Sequence, residues 1–246
     1  MLLRPFTNQL ALLFTLGFFC TTLFAKPIPP QHQAFVEQVN QLITQANHQI
    51  QQDREYLLDS QQKKHLNYFD KKKLTRLAQQ YRLNSFDSSN SQDWTELLKR
   101  VDAIPNSLAL AQAINESAWG TSRFARQGHN LYGTWCYQKG CGIVPLHASS
   151  KQFFAVKAYS NFKASIDDYL LNLNSNKHYR SLRKTRYQLH QHNKPISGYK
   201  LAGCLGKYSA IGQQYITAIQ SLITTCLLYT SPSPRDLSTS RMPSSA

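Results

Sequence analysis

The chain has 246 residues, 41% of them hydrophobic, and 28 Lys+Arg against 13 Asp+Glu, a net charge of +15. That length holds one fair-sized domain and a smaller segment, and the apolar content is enough for a packed core, which excludes a disordered or fibrous chain. The positive balance calls for an acidic partner: nucleic acid, anionic lipid or an anionic cell-wall polymer.

At the N-terminus, Arg4 precedes an apolar run from Leu10 to Phe24, which ends Leu23-Phe24-Ala25 before Lys26-Pro27. A cation, a short apolar stretch and a small residue in that order read as a secretory signal cut after Ala25. Leu23 is bulky for its place before the cut, so residues 1–25 are a signal peptide or an uncleaved anchor with possible membrane association. Export predicts a periplasmic protein, argues against nucleic acid and leaves the envelope polymer as partner.

Residues 26–90 read as a helical segment. Phe35, Val39, Leu42 and Ala46 share one face, with Val36, Ile43 and Ile50 beside it. A second pattern runs through Tyr56, Leu57 and Leu58, and a third through Leu74, Leu77, Ala78 and Tyr81. Lys71 to Lys73 form a solvated basic face. The Ser/Asn/Asp-rich stretch 84–92 predicts a linker, with a boundary near residue 90.

A second unit spans residues 91–225. Asp93 is the expected N-cap of a helix over 94–100. Ser107 is the expected cap of a helix from Leu108 to Ala118, apolar nearly all round and so buried, with Glu116 near its end and Gly120 stopping it. Thr121 to Ala125 makes another helical turn. Residues 131–136 and 142–144 predict two strands joined as a hairpin through 137–141, and 155–159 a third strand. Helices resume at Ser165 and end with one over 213–224. The fold class is therefore α+β, mainly α, with a small antiparallel β-hairpin beside the helix that carries Glu116. Residues 226–246, Ser/Pro-rich after Cys226, read as a non-native or disordered tail.

Glu116 is the one carboxylate between Asp102 and Asp167, in an interval that holds six Lys and Arg. An acid on an apolar helix, followed by an aromatic, is a candidate proton donor; the plain alternative is a surface glutamate. Trp119, Tyr132, Trp135 and Tyr159 offer flat apolar faces of the kind a sugar ring packs against, although such aromatics are as readily core. Cys136 and Cys141, close in sequence in an exported chain, suit a disulfide; zinc held with His129 and His147 lacks the usual ligand spacing. Cys204 reads as a free thiol. No Gly-rich phosphate loop occurs, and no cofactor or metal is expected.

The strings Leu110-Ala111-Gln112-Ala113, Glu116-Ser117-Ala118-Trp119-Gly120, Asn130-Leu131-Tyr132-Gly133, Tyr159-Ser160-Asn161-Phe162, Tyr169-Leu170-Leu171-Asn172-Leu173-Asn174 and Gly206-Lys207-Tyr208-Ser209 occur in this order. Together they resemble the bacterial glucosaminidases of glycoside hydrolase family 73, in particular the Bax-like members of Gram-negative envelopes, over roughly residues 95–224. The resemblance implies a lysozyme-like helical fold and cleavage of peptidoglycan glycan strands. It implies that Glu116 is the general acid and that Tyr159 lies near the cleft. Glu116 and Tyr159 are thus the expected catalytic residues, and Trp119, Asn130, Tyr132 and Trp135 the expected substrate-binding ones.

Glycosidases commonly use two carboxylates. The hairpin, where some relatives place an Asp or Glu, has neither. Three helpers remain: the substrate's own 2-acetamido group, Asp167 or Asp168 at a distance, or a water positioned by Tyr159. Asp167 and Asp168 are more simply read as charges at a helix start. The expected activity is hydrolysis of the β-1,4 bond after N-acetylglucosamine. A muramidase or lytic transglycosylase is the enzymatic alternative, and a non-catalytic peptidoglycan-binding protein the other.

Overall fold

The structure, a computed structural model, describes residues 29–146 and 153–230, with side chains up to Thr225. The expected signal or anchor (1–25), most of the expected tail and His147 lie outside these residues. The architecture is mainly helical with a small three-stranded antiparallel sheet, the α+β class read from the sequence.

Helix α1 (Pro30–Gln62) runs through both of the first two apolar patterns as one 33-residue rod. Nothing between them breaks a helix: residues 51–55 are Gln-Gln-Asp-Arg-Glu, all tolerated. Pro30 opens it where a missing N–H costs nothing. Helix α2 (Tyr68–Gln80) starts with a reciprocal cap, in which the Asn67 side chain accepts from Asp70 N and Asp70 accepts from Asn67 N. Helix α3 (Ser91–Arg100) is capped by Asn90, not Asp93; Asp93 instead accepts from Asp87 N in the loop before it.

Helix α4 (Asn106–Ser117) follows Pro105 and has no side-chain cap, so Ser107 lies inside it. Helix α5 (Arg123–Gly128) is capped by Ser122. Helix α6 (Phe162–Ser175) begins at the Asn161 cap, before the predicted Ser165, which is buried and accepts from Leu131 N instead. A 3-10 turn (Lys177–Tyr179) leads into α7 (Arg180–Gln191), followed by α8 (Gly198–Ala202) and α9 (Gln213–Thr230). The last helix continues past the predicted stop at Thr224, because residues 226–230 are Cys-Leu-Leu-Tyr-Thr and contain no breaker.

Strands β1 (Trp135–Cys136), β2 (Gly142–Ile143) and β3 (Ala155–Lys157) form a sheet in the order β1-β3-β2. The expected hairpin pairing of the first two strands is thus corrected. Both pair antiparallel with β3, Trp135 opposite Val156 and Gly142 opposite Lys157. Gly142 seats so closely on β3 that a Cβ there would run into the Val156 carbonyl, which explains glycine at this edge. Cys136 and Cys141 are joined in a disulfide across the intervening loop.

One hydrophobic cluster runs across residue 90. Val39, Ile43 and Ile50 of α1 are buried with Leu108 and Ala111 of α4, Ile166 and Leu170 of α6, and Ile219 of α9. The linker stretch separates helices but not cores. Asn47 of α1 locks the two parts with a two-way bond to the Ile104 backbone, 2.7 Å to its oxygen and 3.1 Å from its nitrogen.

A buried charge cluster centres on Asp102. The Asp102 carboxylate meets Arg186 Nε at 3.1 Å, His190 Nε2 at 2.9 Å and Arg54 at 3.7 Å. The Arg186 Nε contact is one of charge rather than an aligned hydrogen bond; its other nitrogens donate to the carbonyls of Lys99, Asp102 and Ala103. Burial pushes the Asp102 carboxyl up, but Arg186, His190 and Arg54 outweigh it and hold the group below the usual range.

Removing one partner from a buried ion pair leaves the other uncompensated. Asp102→Asn should therefore lower stability by ~3–5 kcal/mol in urea unfolding at neutral pH. Because the folded-state pKa is depressed, Asp102's contribution is complete above the unfolded value of about 4 and is lost as pH falls through the folded value. The gap between the two proteins should accordingly narrow at acid pH.

Candidate active site

Helix α4 is enclosed by α1, α8 and α9, and Leu108 through Ile114 are buried without exception. Glu116 stands in its last turn, half-buried, where the helix emerges from the core. Three successive left-handed residues, Ala118, Trp119 and Gly120, turn the chain sharply away. Ser117 stabilises this exit: its hydroxyl donates to Ala113 O at 2.6 Å and accepts from Gly120 N at 2.7 Å. Asn115 Nδ2 donates to Glu116 Oε1 at 3.1 Å. A Cβ on Gly133 would lie 3.6 Å from Glu116 Oε2, so that oxygen looks over the bare backbone of the 130–134 loop.

Beneath Glu116 lies a floor of tyrosines. Gln112, one turn earlier on α4 and fully buried, accepts from Tyr169 OH at 2.6 Å and donates to Tyr215 OH at 2.8 Å. Tyr132 stacks on Tyr169 with centroids 3.7 Å apart and planes at 7°, and Tyr208 stacks on Tyr215 at 5.3 Å. Tyr208 OH donates to Tyr132 O at 3.1 Å, closing the ring of contacts. Burial pushes the hydroxyls of Tyr169, Tyr208 and Tyr215 well up, and neighbouring tyrosines and the Glu116 charge push them further, so all three remain neutral.

A cleft of about 840 Å³ opens above this floor, with Glu116, Tyr132, Trp135, Tyr137, Lys157 and Asp168 on its walls. Trp135 is 50% exposed, braced at 5.0 Å by Phe154, and Tyr137 beside it is 74% exposed. The Cys136–Cys141 disulfide closes the loop that carries Tyr137.

Two residues assigned to substrate binding stand elsewhere. Asn130 is 2% exposed and saturated: Nδ2 donates to Thr134 O and Lys157 O, while Oδ1 accepts from Tyr132 N and Thr134 N. It shapes the loop beside Glu116 and has no bond left for a ligand. Trp119 stacks on His32 of α1, with centroids 4.4 Å apart, and its neighbour Gly120 lies against Phe35. The left-handed exit carries its ring away from the cleft. Tyr132 lies on the cleft floor but is 3% exposed, so it supports the surface rather than projecting from it.

Tyr159 is half-buried and donates its hydroxyl to Asp168 Oδ2 at 2.6 Å; it reaches the cleft through that carboxylate. Its backbone oxygen meets His129 Nδ1 at 3.0 Å. With Cys136 and Cys141 bonded to each other, the zinc alternative loses its thiolates, and no metal-ligating cluster occurs among the described residues.

Asp168 is the cleft residue that the sequence reading undervalued. Because α6 starts at Phe162, Asp168 lies in its second turn rather than at its start. Lys157 Nζ reaches Asp168 Oδ2 at 2.8 Å, and Asn172 and Asn176 follow at four-residue spacing along the same wall. Burial pushes the Asp168 carboxyl up, but Lys157 and Tyr159 outweigh burial and hold it below the usual range. The Asp-x-x-x-Asn-x-x-x-Asn period was the available signal. Asp167, in contrast, pairs with Lys163 on the exposed side.

These placements separate two kinds of variant. Trp135→Ala should raise KM for cell-wall substrate about fivefold with an unchanged melting temperature, the loss of one aromatic stacking surface. Asn130→Ala should instead lower stability by about 1–3 kcal/mol, because buried backbone groups lose their partner; thermal melts read the difference.

The glucosaminidase family model, described as mannosyl-glycoprotein endo-beta-N-acetylglucosaminidase, matches residues 91–228. "Protein bax" of Escherichia coli (strain K12) is 32% identical over 189 residues, covering 76% of this chain and 66% of that protein. The matched stretch is thus just under two thirds of that relative's length. No solved structure matches the chain. The family match spans more than half of the chain and includes both walls of the cleft, so the chain belongs to the glucosaminidase family.

Proposed function

We propose that the protein is an exported, periplasmic peptidoglycan hydrolase that cleaves the β-1,4 bond after N-acetylglucosamine, with Glu116 as general acid. The observation that carries this is Glu116 itself, a half-buried carboxyl at the lip of an aromatic-walled cleft. Trp135 and Tyr137 offer exposed rings for sugar faces, and Lys157 and Arg82 give the cleft cations that suit an anionic glycan polymer. The net charge of +15 favours the same partner at longer range. The apolar N-terminal run supports export. Among the described residues no helix is long and apolar enough to cross a membrane.

Asp168 is anchored by an ammonium and a hydroxyl on the same oxygen, which weakens it as a nucleophile toward carbon. The substrate's 2-acetamido oxygen is therefore the better candidate to attack C1, as in the substrate-assisted glycosidases. Glu116 then gives its proton to the departing glycosidic oxygen and, as carboxylate, takes one from the incoming water.

Glu116→Gln should lower fragment release from purified cell walls about 10²- to 10⁴-fold while leaving the fold intact; release at the wild-type rate would refute the assignment. Mass spectrometry of the wild-type products should show a reducing N-acetylglucosamine end. A 1,6-anhydro-muramic end would identify a lytic transglycosylase instead.

A further inference from the structure

Both anchors of Asp168 fall on one oxygen. Lys157 Nζ and Tyr159 OH donate to Oδ2, while Oδ1 accepts nothing from the described residues. Asp168 lines the cleft that also holds Glu116, and its second oxygen has no partner among the described residues. Lys157 ends β3 and Tyr159 follows two residues later, and both side chains reach the same oxygen on α6. Asp167, the neighbouring acid, has its own exposed partner in Lys163 and takes no part.

The geometry points to Asp168 as a second catalytic residue: its Oδ1 accepts the N–H of the substrate's 2-acetamido group and holds the amide oxygen against C1. This rests on the glucosaminidase reading above and deepens it. The step balances with the groups present. The acetamido oxygen bonds to C1 as the glycosidic C–O bond breaks; its electron pair leaves on oxygen, which takes the Glu116 proton. Positive charge develops on the ring formed by the amide, whose N–H points at the Asp168 carboxylate. Water then adds to C1, its proton goes to Glu116, and the bond from C1 to the amide oxygen opens to restore the acetamide. One water is consumed, and Asp168 ends as it began. Lys157 and Tyr159 act as positioning residues, since both donate to Asp168 Oδ2.

A purely structural Asp168, tying β3 to α6, would predict otherwise, and the two are separable. N-acetylglucosamine-thiazoline mimics the ring intermediate; an N-acetylglucosamine oligomer presents the ordinary amide. Wild-type protein and Asp168→Asn are compared for binding of both, with melting temperature and fragment release measured alongside. Asn can still accept from Lys157 and Tyr159, but it turns an N–H toward an N–H and carries no charge. The expected result is thiazoline binding weakened about 10- to 100-fold, against less than about threefold for the oligomer. Equal weakening of both, or turnover at the wild-type rate, overturns the proposal. If Asp168→Asn does not fold, Asp168→Glu, which keeps the charge but displaces it, must show the same selective loss; thiazoline binding as in wild type overturns the proposal. A wild-type protein that releases fragments yet ignores thiazoline refutes only amide participation, and with it Asp168's role. One that does neither refutes the glucosaminidase reading itself.

Discussion

Gln112 has no surface in water, and both ends of its amide are engaged: Tyr169 OH donates to one and Tyr215 OH accepts from the other. That bridge ties α4 to α6 and α9 one helical turn below Glu116. A buried amide that loses either partner costs the desolvation of an unpaired group, so the three helices are held in one relative position. Tyr132 and Tyr208 stack on the bridged pair and carry the constraint outward to the loop that faces the carboxylate. Glu116 thus stands over a floor fixed by hydrogen bonds and flat ring contacts, and its own carboxylate accepts from Asn115.

Charge is buried where Asp102 gathers Arg186 and His190 from α7 and Arg54 from α1. In the cleft, charge is kept at the wall, where Lys157 and Asp168 pair within reach of solvent. The long α1 joins both regions: Asn47 bonds the loop between α3 and α4, and His32 covers Trp119 at the exit of α4. The segment before residue 91 therefore belongs to the same core as the family-matched part, even though the family model starts there.

Much of this was legible in the sequence, for identifiable reasons. The apolar period of α1 and the unbroken apolar surround of α4 identified buried helices, and the second placed Glu116 near a helix end. Helix α7 was missed because its buried face sets only Leu182 and Leu189 beside Arg183 and Arg186, two cations that bury themselves by donating to backbone carbonyls. The strand order was misread because a short link looks like a hairpin turn, while β3 arrives later and separates the two strands. At the site, motif membership did not distinguish roles. Asn130 and Trp119 belong to the strings that mark the family, yet one organises a loop and the other packs under α1. Asp168 was discounted because the start of α6 was placed three residues late, which turned a mid-helix acid into a helix-end charge.

The central claim is that Glu116 is the proton donor at a cleft whose floor and wall fix the sugar around it. It is tested most directly by a crystal structure of Glu116→Gln bound to a peptidoglycan oligomer. The account predicts the glycosidic oxygen after an N-acetylglucosamine unit within hydrogen-bond distance of the residue 116 side chain, with that sugar's acetamide between Tyr132 and Asp168. An oligomer that places a muramic unit there, or that binds away from residue 116, would contradict it.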